Sequence, residues 1–309
     1  MRLPDPKETD MLKGLAITPP VIGRISIGRV VERNGKRLPE KDDQFTLTTQ
    51  VQNRDGWVLH PLDETLHQAA GGKLRSLPVR LLFNDPGLNL RADYSLFDRS
   101  TGRPICVGNG EVCRRRAQDG IEALGCPSPD ACTFASGECK AYARFNVMVD
   151  AGTSDALGSF VLRTTSFNTI RTLAARLAYF HAVSGGLLAC LPLELKLRGK
   201  STTQSYRAPI YYVDLVVRSG MTLEQAINEA REQDRQRKQN GFDQAALDEA
   251  ARLGFANGAF EELDEDVPAV VEEFYPEQGQ TMDDEHAAAN TSIGLRGRLE
   301  AKVARIGSG

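Results

Sequence analysis

The chain writes one short pattern twice. Phe45-Thr46-Leu47-Thr48-Thr49 is followed, 26 residues after Phe45, by Gly71-Gly72-Lys73-Leu74-Arg75-Ser76-Leu77-Pro78. Phe160-Val161-Leu162-Arg163-Thr164-Thr165 is followed, 25 residues after Phe160, by Gly185-Gly186-Leu187-Leu188-Ala189-Cys190-Leu191-Pro192. A β-rich run, a helix-length interval, a double-glycine stop and a Leu-Pro lead into the next apolar run describe a strand, a helix and a strand. Such punctuation is common, but matched order at near-equal spacing favours a duplication. The fold class expected is therefore α+β, with two similar strand–strand–helix–strand halves forming a pseudo-symmetric body.

The local signals agree with that order. Arg24, Ile25, Ser26, Ile27, Gly28 and Arg29 alternate as a strand does, and Asn34-Gly35 reads as a turn. His60-Pro61 opens a helix, with Asp63 and Glu64 in its first turn where acids suit the dipole. In the second half Ile170, Leu173, Leu177 and His181 recur at helical spacing, and Ser184-Gly185-Gly186 stops them. Leu191–Leu197 and Ile210–Val217 read as strands. Beyond Ser219-Gly220, Thr222 caps a helix that Gly241 closes, and Phe242–Leu253 reads as an amphipathic helix. Its stripe, Phe242, Leu247 and Leu253, is a candidate partner-binding face.

Between the two halves stand Cys113, Cys126, Cys132 and Cys139. No apolar run reaches the length of a membrane span and the N-terminus lacks a signal-peptide core, so the expected location is cytoplasmic, where clustered cysteines bind metal more often than they cross-link. The segment 113–139 has tight turns and too few apolar residues to order itself. A structural Zn²⁺ on the four thiolates is the economical organiser, ahead of unbound thiols, a disulfide or an iron–sulfur cluster. The spacing lacks a CxxC knuckle, and whether Cys106 joins the site is open. Arg114, Arg115, Arg116, Lys140 and Arg144 flank the ligands and are candidate contacts to nucleic acid or a partner.

The net charge of −3 conceals a segregation. Residues 261–285 hold eleven acids and no Lys or Arg, residues 286–309 are +3, and 1–260 are +5. That surplus is too small for strong duplex binding by counterion release alone. No P-loop, GxSxG, HExxH or strand-to-helix GxGxxG occurs. His60, His67, His181 and His286 show no shared catalytic spacing, and four cysteines on zinc leave no open coordination position. A binding module is favoured over an enzyme. The alternatives are a metal-dependent hydrolase and a single-stranded DNA-binding protein of a mobile element. For the latter, Tyr206, Tyr211 and Tyr212 form the one local aromatic cluster.

Taken together, Gly23-Arg24-Ile25-Ser26-Ile27-Gly28, Phe45-Thr46-Leu47-Thr48, the cysteine module leading to Cys139-Lys140-Ala141-Tyr142-Ala143-Arg144-Phe145-Asn146-Val147-Met148, Gly158-Ser159-Phe160-Val161-Leu162-Arg163-Thr164 and Gly185-Gly186-Leu187-Leu188 resemble a phage family. It is the recombination directionality factors that partner large serine integrases, and the resemblance covers about 14–218. It implies that Cys113, Cys126, Cys132 and Cys139 are zinc ligands. It also implies that the protein binds an integrase on DNA, redirects its coiled-coil arms and makes excision replace integration. The organisation expected is a flexible arm (1–13), a first α+β half (14–105), the cysteine module (106–140), a second half (141–218), a helical appendage (219–260), and an acidic linker with a short basic helix (261–309). The tail from 221 onward is expected to be mobile relative to the body.

Overall fold

A computed structural model describes residues 20–33, 36–54, 56–151, 158–201, 209–255 and 267–275. The arm 1–13, the Asn34-Gly35 turn, Tyr206, His286 and the basic segment 286–309 lie outside the described residues. The elements are β1 (Val21–Arg33), β2 (Lys36–Asn53), β3 (Gly56–Leu59), α1 (Pro61–Ala69), β4 (Ser76–Arg80), α2 (Pro86–Asn89), β5 (Leu90–Phe97), β6 (Pro104–Gly108), β7 (Val112–Ala117) and β8 (Gly120–Gly125). They continue with β9 (Lys140–Val149), β10 (Ser159–Thr164), α3 (Phe167–Ser184), β11 (Leu193–Ser201), β12 (Pro209–Val217), α4 (Leu223–Gln239), α5 (Gln244–Phe255) and α6 (Val267–Phe274).

Nine strands pair in the order β3-β2-β1-β10-β9-β5-β6-β7-β8, and β4, β11 and β12 form a smaller branch joined through β9. The α+β class is what the sequence implies. Strand, strand, helix and strand do recur in each run, but the runs do not separate into halves. β1 is seated between β2 and β10, and β4 pairs with both β11 and β9. α1 has nine residues and α3 has eighteen. This arrangement does not display a pseudo-symmetric body. The segment expected as a bare cysteine module instead extends the sheet as β6, β7 and β8.

The core lies on one face of the large sheet. Ile25, Phe45, Leu47, Phe145, Val147, Phe160 and Leu162 meet Leu173 and Leu177 of α3 and Leu77, Leu193, Leu195, Val213 and Leu215 of the smaller branch. Period-2 alternation in the strands and the 3, 4 spacing in α3 put these residues inward. β1 and β10 run parallel, with Gly23 registered on Phe160. A Cβ at Gly23 would lie 2.5 Å from the Phe160 ring and 2.8 Å from the Thr48 carbonyl oxygen, so only glycine lets that ring pack there.

Helix ends follow local chemistry. His60 caps α1, its Nδ1 accepting from Leu62 N at 3.2 Å, and Pro61 follows at the first helical position. α3 ends on Gly185 in the left-handed region. Thr222 and Gln225 form a reciprocal capping box at the start of α4.

Over residues 223–255 the structure departs from the sequence reading. α4 and α5 pack on the body and are not a loose appendage. α4 buries Ala226 and Ala230 in the main core. Arg80 of β4 donates to Asp150 (3.0 Å), the Cys190 carbonyl (2.9 Å), Gln233 (2.6 Å) and Glu229 (2.8 Å), the last two being on α4. Replacing Arg80 by Met keeps most of the apolar stem and deletes these bonds. The expected cost is about 2 kcal/mol, discounted for partial exposure of the acceptors. It is read as a lower urea midpoint with faster amide exchange in α4 and unchanged exchange in β9 and β10. Uniform acceleration across all three elements would contradict a local clamp.

Candidate functional site

Two features on the large sheet carry chemistry: a cysteine corner on its core-side face and a row of basic side chains on its back.

The corner is built by β-register. Cys106 stands opposite Arg115, and Gly108 opposite Cys113. Cys106, Cys113 and Arg115 therefore share one face. A Cβ at Gly108 would lie 2.6 Å from Cys113 Cβ and 2.8 Å from the Val112 carbonyl oxygen, so the glycine admits Cys113 against β6. Cys113 is buried, and Cys106, Cys126, Cys132 and Cys139 are half-buried. The segment after β8 folds back with Cys126 N donating to Glu111 O at 2.8 Å and Glu138 N to Ala135 O at 2.8 Å. Ser128 and Ser136 adopt positive φ, 69° and 49°, in its turns. Phe134 is stacked by the Arg115 guanidinium, 3.7 Å from the ring centre.

The thiols feel one another. Burial pushes the Cys113 thiol up to about 11, and Cys106, within hydrogen-bonding reach, and Cys126 add to the rise. Burial pushes Cys139 up to about 12, with Cys132, Cys106, Cys126 and Cys113 contributing. Against the cost of its burial, Arg115 is held charged by its neighbours Cys106, Cys113 and Cys132. By register Cys106 lies on the same sheet face as Cys113 and Arg115. Among the described residues, however, no three His, Cys, Asp or Glu side chains converge in a ligating arrangement.

The five basic residues picked from sequence divide. Arg115 turns to the thiols. Arg114, Lys140 and Arg144 alternate to the other side, and Arg114 and Arg116 are exposed. Register extends that back face. Arg163 of β10 stands opposite Arg144 of β9, which stands opposite Arg91 of β5. Like charges directly opposite are unfavourable unless acids answer them. Asp93 is one answer: burial raises its pKa, while Arg91 and Arg144 hold it down. Arg24 of β1 joins the same face and stacks on Trp57 at 3.8 Å. Sequence reasoning missed Arg24, Arg91 and Arg163. The signal was present strand by strand, since each sits between core-facing neighbours, but which strands adjoin is not written locally.

α6 crosses this back face. Val270 and Phe274 are fully buried, and Phe274 packs with Phe97 and Tyr142. Trp57 Nε1 donates to Glu272 at 2.7 Å, Thr165 N donates to Glu273 at 2.9 Å, and Tyr275 Oη donates to the Phe97 carbonyl at 2.5 Å.

The stripe proposed for a partner is divided by the fold. Leu247 packs inward against Leu82, Phe83, Leu88 and Ala251. Gln244 and Asp248 tie α5 down at Leu82 O and at the Asn84 and Asp85 amides. Phe242 precedes the helix, under the Arg237 guanidinium, and only it and Leu253 are exposed. The three do not form one accessible face, because α5 spends its apolar side on the body. His60 and His67 make structural contacts. His60 is a cap, and both ring nitrogens of His67 face carbonyl oxygens, Gly72 O at 2.7 Å and Phe45 O at 3.0 Å. Cys190 is buried, as expected of a small hydrophobe.

The Gp3-like family, described as recombination directionality factor-like, matches residues 22–218. That span runs from β1 to the end of β12 and contains the cysteine corner and all the strands of the basic face. No curated protein and no solved structure matches the chain. Among the described residues no helix is long and apolar enough to cross a membrane.

Proposed function

We propose a direction-setting role in recombination for this chain, which belongs to the Gp3-like, recombination directionality factor-like family. The family supports a phage-type accessory role in DNA recombination. Our finer reading is that the protein binds a large serine integrase on DNA and favours excision. Strand exchange stays with the integrase, and this chain supplies differential affinity for two integrase–DNA states. The observation that carries the reading is the family match across the whole sheet platform. The basic back face supports a contact to DNA or to an acidic partner surface, weak on its own.

Zinc is part of the proposal. The donor set fits it in chemical kind: thiolates are the soft ligands that a structural Zn²⁺ site takes. Cys113, Cys126, Cys132 and Cys139 would hold it, and bound zinc would supply order to a turn-rich segment, not reactivity. Arg115, beside the sulfurs, favours their thiolate forms electrostatically. Cys106 and the Phe134–Arg115 stack would enclose the corner.

The test is direct. Purified protein is mixed with a large serine integrase from the same mobile element and with paired attachment-site DNA. The expected result is a supershifted complex and a shift of the excision-to-integration ratio of at least about tenfold, a normal size for coupling between bound partners. An unchanged ratio with no supershift would remove the integrase from the account.

A further inference from the structure

The back face of the large sheet holds an occupant that comes from outside the family-matched residues. α6 begins well beyond residue 218 and is eight residues long. A helix that short does not persist alone in water, so its helicity depends on the surface it covers. The surface fits it in two ways. Phe97 and Tyr142 receive Phe274, with ring centres 4.9 and 6.3 Å away. Basic and donor groups receive its acids: Arg24 Nη2 lies 3.9 Å from Glu272 and Trp57 Nε1 donates to it, while the Thr165 amide takes Glu273. Lys140 Nζ lies 5.7 Å from the Phe274 ring centre. Nearby, the Arg163–Arg144–Arg91 row continues the positive field across three strands.

We propose that this face is a receptor for an acidic amphipathic helix of a partner protein, and that α6 is its intramolecular occupant, a self-ligand that such a partner displaces. The pattern recognised is two apolar residues one turn apart, as Val270 and Phe274 are, with adjacent acids at the Glu272 and Glu273 positions. A tethered occupant acts at high effective concentration, so it lowers the apparent affinity of any competitor without abolishing it. The face then answers only to partners whose helix matches better than α6 does. This goes beyond the recombination reading and does not depend on the partner being an integrase.

The experiment uses the full chain and a fluorescent peptide of residues 266–276 as probe. The host is wild type or the release variant Val270→Ala/Phe274→Ala. The peptide is expected to bind the release variant at least about tenfold tighter than wild type, because its own competitor is weakened. A peptide with Glu272→Gln and Glu273→Gln is expected to lose at least about tenfold, and so is binding to a release variant that also carries Arg24→Gln. If the release variant does not fold, amide exchange on wild type decides. Exchange in Val270–Phe274 at least about a hundredfold faster than in β9 and β10 supports a displaceable occupant. Exchange as slow as in those strands makes α6 a fixed part of the fold and overturns the proposal. Equal peptide binding to both hosts, or none to a folded release variant, also overturns it. So does strong, salt-sensitive binding of duplex DNA to the release variant without peptide binding, which would make the face a phosphate site. Peptide binding with no integrase complex would sink the recombination reading alone.

Discussion

Cys126→Ser is expected to lower zinc content and thermal stability together. The segment it anchors has little else to hold it. β8 is exposed along its whole length, and Ala135 is the one buried residue between Cys126 and Cys139. Structural zinc in small modules contributes on the order of 10 kcal/mol, and removing one of four ligands forfeits a large part of that. The loss stays local because the main core, around Phe45, Phe145, Phe160 and Leu173, lies elsewhere. A loss of even about 3 kcal/mol corresponds to a fall of roughly 5 °C in Tm for a chain of this size. Metal analysis should show less than one zinc per chain, and amide exchange should accelerate in β7, β8 and the segment after them while β10 and β11 hold. Chelation of the wild-type protein should reproduce the pattern. Full zinc occupancy with an unchanged melting curve in the variant would sink the zinc proposal. Cys106→Ser separates a neighbour from a ligand: as a neighbour it should leave zinc content intact.

What was legible in the sequence was what neighbours along the chain decide. His60-Pro61, Thr222 with Gln225, and Ser184-Gly185 fix helix ends through atoms within a few residues, and each stands where read. Alternation placed Phe45, Leu47, Phe145 and Val147 in the core for the same reason. Pairing was not legible. The parallel match of β1 with β10 and the handover of β9 from the large sheet to β4 join residues more than 60 apart. Nothing local encodes them. β7 escaped because its sequence, Val112-Cys113-Arg114-Arg115-Arg116-Ala117, is charged on both sides, and its inward arginine faces thiols, not an apolar core. α6 escaped because eleven acids in 261–285 suggested a linker. Yet Val267, Val270, Val271 and Phe274 carry the helical period within that run. Charge outvoted periodicity, and periodicity was the better guide.

Asn89→Ala is expected to destabilise the protein by about 4 kcal/mol, more than its size suggests. Asn89 is fully buried, and its amide makes four bonds to backbone. Leu82 N and Phe83 N donate to Oδ1 at 3.2 and 3.1 Å, and Nδ2 donates to Phe83 O and Asp85 O at 2.7 and 3.0 Å. Both faces of one primary amide thus replace the ladder partners that the turn between β4 and α2 lacks. Alanine leaves two N–H and two C=O groups without that partner, each costing about 1–3 kcal/mol less whatever water recovers. The loss reaches α5, because Asn84 N and Asp85 N from the same turn donate to Asp248, and Leu82 O accepts from Gln244. The urea midpoint should fall with little change in m, and exchange in α5 should rise with that of the turn. Asn89→Asp is the sharper probe. The introduced carboxylate can still accept from Leu82 N and Phe83 N, but it sets a negative oxygen against two carbonyl oxygens. Burial and that repulsion raise the carboxyl's folded pKa above its unfolded value, so the penalty is full above the folded pKa. It shrinks as pH falls through that value, where the protonated acid can donate again. N89D should therefore lie closer to wild type at pH 5 than at pH 8, while Asn89→Ala keeps the same deficit at both. Equal deficits for N89D at the two pH values, or a neutral Asn89→Ala, would show that the amide is not what holds the turn.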